Sequence, residues 1–150
     1  MTTEGRRITA AILALASLAC AFPNSTRADE RAFHIVVHPG NPVMTLRRAD
    51  VAELFLKKVK RWKHSIDVEP VDQSERSAVR AEFAKSVLGR STGDLRAYWE
   101  QQVMNGGANP PRVRATDDEV IRHIQQTPGA IGYVSAQAKL DGVRVVQLEP

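Results

Sequence analysis

The chain has 150 residues, of which 43% are hydrophobic and 25% are charged, and this composition is typical of a globular domain rather than of a disordered segment. The formal net charge of +4 is too small to indicate a nucleic-acid partner. A single cysteine cannot form a disulfide within the chain, so the fold must depend on its hydrophobic core.

Residues 1–28 have the features of a secretory signal peptide. Arg6 and Arg7 form a short basic region, and a mostly apolar run follows over residues 8–21. That run is shorter than the roughly 20 residues that a membrane-spanning helix needs. Thr26-Arg27-Ala28 is similar to an A-x-A cleavage site. We expect cleavage after Ala28 and a periplasmic product of residues 29–150; a buried N-terminal helix is the alternative.

Cys20 raises the question of a lipoprotein anchor. A lipobox has leucine three positions before the cysteine, and this chain has Ser17 there, with Leu18 one place late. The pattern therefore favours a product without an anchor. Cleavage after Ala28 would leave 18 Lys and Arg residues against 16 Asp and Glu residues and would remove the only cysteine.

The first half of the remaining chain predicts a strand, a helix and a strand. Residues 33–38 are rich in β-branched side chains and end at a Pro-Gly pair, which indicates a strand. Residues 46–58 place apolar side chains at helical spacing, with Thr45 as the expected cap. Residues 67–72 read as a second strand, weakened by Pro70.

The second half predicts three helices and then two strands. The elements are a helix from Val79 that ends near Gly89, a helix from Thr92, a loop over 105–111, a short helix over 120–126, and strands over 130–134 and 143–148. Thr116 and Glu119 form a capping-box pattern before the last helix. This order predicts one α/β domain with a mixed sheet of about four strands flanked by helices.

The sequence gives little indication of an enzyme. It contains no GxSxG elbow, no HExxH pair and no GxxxxGK loop, so we expect neither an enzyme nor a cofactor. His34 and His38 would share one face of a strand and could begin a metal site. No further ligand stands at a suitable spacing, and we predict that no metal is bound.

The densest basic patch surrounds Trp62 and comprises Lys57, Lys58, Lys60, Arg61 and Lys63. Such a patch can neutralise phosphates or lipid headgroups. However, the carboxyl end of a helix carries partial negative charge and is commonly cationic. The pattern favours a solvated helix exit, and docking on an anionic membrane or an acidic partner is the functional alternative.

Residues 71–83, VDQSERSAVRAEF, join a predicted strand to a predicted helix. The first N–H groups of a helix have no partner within it, so a helix N-terminus is suited to anions. Ser74 and Ser77 could donate hydrogen bonds to an oxyanion, and Arg76 or Arg80 could neutralise it. Alternatively, Ser77 only caps the helix. The segment by itself leaves both interpretations open.

Four segments in one order show a family pattern. Residues 35–43 (IVVHPGNPV) and 54–62 (LFLKKVKRW) are similar to a run IVV-x-x-x-NPV … IF-x-GK(I/V)-x-x-W. Residues 71–89 are similar to R-x-x-GSGT … F … LG, and residues 128–134 (PGAIGYV) to GAIGYV. Over residues 33–148 the chain thus resembles the phosphate ABC transporter substrate-binding proteins of the type 2 periplasmic binding protein superfamily.

The resemblance implies an anion site at the helix N-terminus within residues 71–83. It places Ser77 on the serine of GSGT, whereas Gln73 and Val79 stand on an arginine and a threonine, and Lys57 stands on a glycine. The N–H groups after Ser77 would hold the anion, and neighbouring side chains would orient or neutralise it. The implied ligand set is Gln73, Ser74, Arg76, Ser77, Ala78, Val79 and Arg80.

The resemblance also implies a function. Family members clamp their ligand between two α/β lobes, and a chain of this length corresponds to one lobe. We therefore expect an extracytoplasmic, non-enzymatic solute-binding-like protein that binds phosphate or a similar small oxyanion for an ABC-type uptake or sensing system. The alternative is an interaction module that binds no ligand and docks to a membrane transporter, receptor or sensor.

Overall fold

The computed structural model describes residues 32–150. The predicted signal peptide, its cleavage site and Cys20 lie outside the described residues. Within residues 32–150, no helix is long and apolar enough to cross a membrane.

The described chain forms six strands and four helices. The strands are β1 (Phe33–Val37), β2 (Thr45–Arg47), β3 (Glu69–Gln73), β4 (Arg112–Arg114), β5 (Ala130–Ser135) and β6 (Arg144–Glu149). The helices are α1 (Arg48–Phe55), α2 (Ala78–Ser86), α3 (Thr92–Met104) and α4 (Asp117–Gln126). This set of strands and helices confirms the predicted α/β class.

All six strands belong to one mixed sheet with the order β2-β6-β1-β5-β3-β4. Strand β1 is antiparallel to β5 and β6, whereas β3 is parallel to β4 and β5, and β2 is parallel to β6. The predicted count of about four strands is two too low, because β2 and β4 have three residues each. A strand of three residues is too short to produce a recognisable alternation of apolar and polar side chains.

The sheet is covered on both faces because successive side chains of a strand point to opposite sides. One face packs mainly against α1 and α2 through Phe33, Ile35, Val37, Phe55, Phe83 and Tyr133. The other face packs against α4 through Val36, Val71, Val134, Val120, Ile121 and Ile124. Two buried faces explain why β1 and β5 are apolar almost throughout.

The first helix differs from the prediction at both ends. Residues 45–47 pair with β6 as a strand, so α1 begins at Arg48 with Arg47 at the cap position. Thr45 is therefore not the cap. The helix ends at Phe55, and Lys57 has a φ of 55°, a left-handed conformation that favours glycine. This is the position where the resembling family has a glycine.

The last helix begins earlier than predicted, at Asp117 rather than Val120. The Thr116 hydroxyl accepts the N–H of Glu119, as the capping pattern predicted. The Glu119 carboxylate accepts the N–H of Ala115 at 2.8 Å. The first turn of α4 is thus fixed by the chain that leaves β4.

Trp62 is a core residue rather than part of a basic surface. Its side chain is buried, and its indole N–H donates to the carbonyl oxygen of Gly129 at 2.9 Å. The surrounding cations follow the end of α1 in a turn, and Arg61 pairs with Asp67 at 2.9 Å. Trp62 therefore cannot offer its ring to a docking surface, whereas Lys58, Lys60, Arg61 and Lys63 around it are exposed.

Gly129 provides a test of the close approach beneath Trp62. A Cβ atom there would lie 1.9 Å from the backbone oxygen of Asp67, which cannot move independently of the chain. We expect Gly129→Ala to lower the free energy of unfolding by roughly 1–3 kcal/mol in urea denaturation.

The matched control is Gly93→Ala in α3, where the nearest atom would be 3.7 Å away. That substitution should instead stabilise the protein by about 0.5–1 kcal/mol. Equal changes in the free energy of unfolding for the two substitutions would contradict the close contact between Gly129 and the backbone of Asp67.

Candidate functional site

The predicted anion segment lies at the carboxyl edge of the parallel part of the sheet. Strands β3, β4 and β5 run in the same direction, so Gln73, Arg114 and Ser135 end them at one edge. Helix α2 follows β3, and α4 follows β4. The N-termini of both helices therefore point to this edge, and each contributes partial positive charge there.

Gln73 connects the two helix N-termini through a buried side-chain amide. Its Nε2 donates to Asp117 Oδ1 at 2.8 Å and to the carbonyl oxygen of Tyr133 at 2.9 Å. Its Oε1 accepts the hydroxyl hydrogen of Ser77 at 2.8 Å. Both donors of the amide are thereby used, as a side chain that is 3% exposed requires.

Ser77 is the cap of α2, which is one of the two interpretations that the sequence leaves open. Its Oγ accepts the N–H of Arg80 at 3.4 Å while its own hydrogen goes to Gln73. A ligand would have to displace Gln73 to take that hydrogen. The backbone N–H groups of Ala78 and Val79 are different, because neither has an acceptor among residues 32–150. They are unoccupied donors at the first turn of α2.

A cavity of about 360 Å³ is lined by both of these residues, and we call it the carboxyl-edge cavity. Six of the seven predicted ligand residues line it: Gln73, Ser74, Arg76, Ser77, Ala78 and Val79. Arg76 is exposed and has no ion-pair partner within the described chain. The structure thus brings two free amides and one free guanidinium group to the same cavity.

The opposite wall of the cavity was missed by the sequence reasoning. It is formed by Ala115, Thr116, Asp117 and Ser135. The Asp117 carboxylate accepts the N–H and the hydroxyl of Ser135, at 3.1 and 2.6 Å, in addition to the Gln73 amide. The capping pattern at Thr116 was visible in the sequence. Its relation to the cavity depends on the parallel pairing of β4 with β3, which was not predicted.

Arg80 has a different role from the predicted one. Its side chain is buried, and Nε donates to Asp72 Oδ2 at 3.1 Å. The other oxygen of Asp72 accepts the Tyr133 hydroxyl and the N–H of Gln73. Arg80 does not line the carboxyl-edge cavity and already has a counter-charge. The predicted neutralising role therefore remains only for Arg76.

A metal site has little support among the described residues. They contain no group of three or more His, Cys, Asp or Glu side chains placed to hold an ion. His38, one of the two histidines considered from the sequence, accepts the N–H of Gly40 through Nδ1 at 3.0 Å.

Comparisons with known proteins give fold-level similarity. No protein-family model and no curated protein matches the chain. Among solved structures, a phosphate ABC transporter substrate-binding protein with bound phosphate from Clostridium perfringens matches with a TM-score of 0.63 and 18% identity over 78% of this chain and 44% of that chain. An ABC-type phosphate transport receptor from Vibrio cholerae matches with a TM-score of 0.62 and 19% identity, over 78% of this chain and 46% of that chain. PstS from Borrelia burgdorferi matches with a TM-score of 0.59 and 13% identity, over 78% of this chain and 47% of that chain.

The matching region spans less than half of each of these longer chains. The fold is therefore similar to one lobe of PstS-like proteins, which confirms the fold that the sequence resemblance implied. At identities of 13–19%, the similarity concerns the fold and does not extend to ligands or residue roles.

The buried phenol of Tyr133, beside the cavity, makes the stability of the protein depend on pH. Burial, followed by the negative charge of Asp72, raises the pKa of the Tyr133 phenol far above its ordinary value of 10.0. Above pH 10 the unfolded chain loses this proton and the folded chain keeps it, so stability falls as pH rises. We expect this loss to be about 1.4 kcal/mol per pH unit, and Tyr133→Phe should remove it. Urea denaturation of the unchanged protein and of Tyr133→Phe from pH 9 to 11.5 measures how the free energy of unfolding of each depends on pH. Identical slopes for the two proteins would contradict this account.

Proposed function

We propose that the protein is an extracytoplasmic solute-binding-like protein that holds phosphate or a similar small oxyanion in the carboxyl-edge cavity, in the service of an ABC-type uptake or sensing system. The observation that carries the proposal is the pair of unoccupied N–H groups at Ala78 and Val79. They stand at the N-terminus of α2, where the helix dipole favours an anion. Similarity to phosphate-binding proteins supports the same ligand class.

Further donors complete the proposed anion shell. The hydroxyls of Ser74 and Thr116 accept backbone N–H groups and keep their own hydrogens available. Arg76 supplies the positive charge from the rim. Because Arg76 is exposed, its ion pair contributes at most about 1 kcal/mol. We therefore expect affinity in the millimolar range that weakens as salt is added.

Asp117 favours an oxyanion that retains a proton. A carboxylate only accepts hydrogen bonds, and within residues 32–150 Asp117 Oδ2 accepts one, from the Ser135 hydroxyl. Monohydrogen phosphate can donate its hydrogen to that oxygen, whereas fully ionised sulfate has no hydrogen to donate. The proposal therefore predicts that phosphate binds more tightly than sulfate.

Replacement of the α2 cap tests the proposal by titration calorimetry of the purified protein with phosphate at low salt. Ser77→Ala should lower the free energy of unfolding by about 1 kcal/mol and should also weaken phosphate binding several-fold, because the first turn is no longer held. The matched control is Ser91→Ala, which removes the cap of α3. It should cost similar stability and leave phosphate binding unchanged.

A second matched pair of variants tests the contribution of the positive charge of Arg76 to phosphate binding. Arg76→Ala should reduce the affinity and its dependence on salt, whereas Arg122→Ala on the exposed side of α4 should change neither. The proposed function fails if phosphate does not bind at millimolar concentration, or if the two serine variants bind it equally well.

A further inference from the structure

A second cavity, of about 620 Å³, lies between the carboxyl-terminal half of α3 and strand β4, and we call it the α3–β4 groove. Its apolar wall consists of Trp99, Val103, Met104, Pro110, Pro111 and Val113. Met104 is 86% exposed, Val113 53% and Val103 50%. Clustered exposed apolar side chains of this size commonly mark a surface that another molecule covers.

The groove runs beside a free edge of the sheet. Strand β4 is the last in the strand order, so one of its sides pairs with β3 and the other has no neighbouring strand within residues 32–150. Val113 lines the groove, whereas Arg112 and Arg114 contact Glu69 and His123 on the opposite face. A strand added to β4 would therefore direct alternate side chains into the groove.

The charges of the groove indicate the chemistry of the occupant. Arg80 is neutralised by Asp72 at 3.1 Å, and Arg96 by Glu75 at 2.8 Å. Glu100 also lines the groove and has no hydrogen-bond or ion-pair partner among residues 32–150. One uncompensated negative charge thus stands next to the apolar wall. A cationic side chain on the occupant would complement it.

We propose that the α3–β4 groove binds an extended segment of a partner protein that pairs with β4, places apolar side chains against Met104 and Val113, and directs a lysine or arginine to Glu100. The proposal does not depend on the anion function, because Glu100 and the apolar wall lie outside the carboxyl-edge cavity.

Selection of random octapeptides displayed on phage against the purified protein tests this proposal. The enriched peptides should alternate apolar and polar residues and should contain a lysine or arginine. Synthetic copies should lose binding when alternate backbone nitrogens are methylated on the side that pairs with β4, because those N–H groups make the strand hydrogen bonds. Methylation on the other side should be tolerated.

Two substitutions in the groove connect the selected peptides to this surface. Glu100→Lys and Met104→Asp should each weaken peptide binding about tenfold or more. The matched controls are Glu82→Lys at an exposed position of α2 and Met44→Asp, whose methionine is also exposed and lies outside the groove. Both controls should bind the peptides within about twofold of the unchanged protein, since neither residue lines the groove.

Three outcomes would overturn the proposal. The first is a selection that enriches no peptide, or enriches acidic ones. The second is peptide binding that survives both Glu100→Lys and Met104→Asp. The third is self-association in sedimentation equilibrium that Met104→Asp abolishes, which would assign the groove to a second copy of the chain. Phosphate binding measured on the same variants is expected to be unchanged, so failure of one proposal is distinguishable from failure of the other.

Discussion

The buried amide of Gln73 is the constraint on which the carboxyl edge of the sheet depends. A buried amide is costly unless its donors and acceptor are satisfied. Gln73 satisfies them with the cap of α2, the first residue of α4 and a carbonyl of β5. The α4 and β5 segments, 44 and 60 residues further along the chain, must therefore approach the same side chain as the neighbouring cap of α2. The adjacent N-termini of α2 and α4 and the cavity between them follow from that arrangement.

The same constraint decides which groups are available to a ligand. Ser77 gives its hydrogen to Gln73, and Arg80 gives its Nε–H to Asp72, so neither is a free donor. The backbone N–H groups of Ala78 and Val79 remain free because Ser77 caps only the N–H of Arg80. The proposed site consequently relies on the backbone and on Arg76 more than on buried side-chain ligands. Such a site predicts weak and salt-sensitive binding.

Much of the fold could be predicted from the sequence, because β1 and β5 are continuous apolar runs, as strands covered on both faces are, and α2 places apolar side chains at helical spacing. The α2 cap at Ser77 could also be predicted, since capping is local chemistry. Strands β2 and β4 could not be, because three residues show no period and are fixed only by pairing with distant strands.

The candidate site was predictable only in part for the same reason. Arg76 and Arg80 are equivalent by residue type, and only the tertiary position of Asp72 assigns Arg80 to a buried pair. The wall formed by Thr116 and Asp117 depends on the unpredicted strand β4. The α3–β4 groove was not predicted either, since its wall joins a helix to a strand across the loop 105–111.

The central claim is that an oxyanion occupies the first turn of α2, and a phosphate titration followed by ¹H–¹⁵N correlation spectra tests it most directly. The account predicts saturable downfield movement of the Ala78 and Val79 amide protons, because those N–H groups become hydrogen-bond donors to the anion. The corresponding amides of α3, Thr92 and Gly93, should stay in place. Equal movement at both helices, or movement that excludes Ala78 and Val79, would contradict the account.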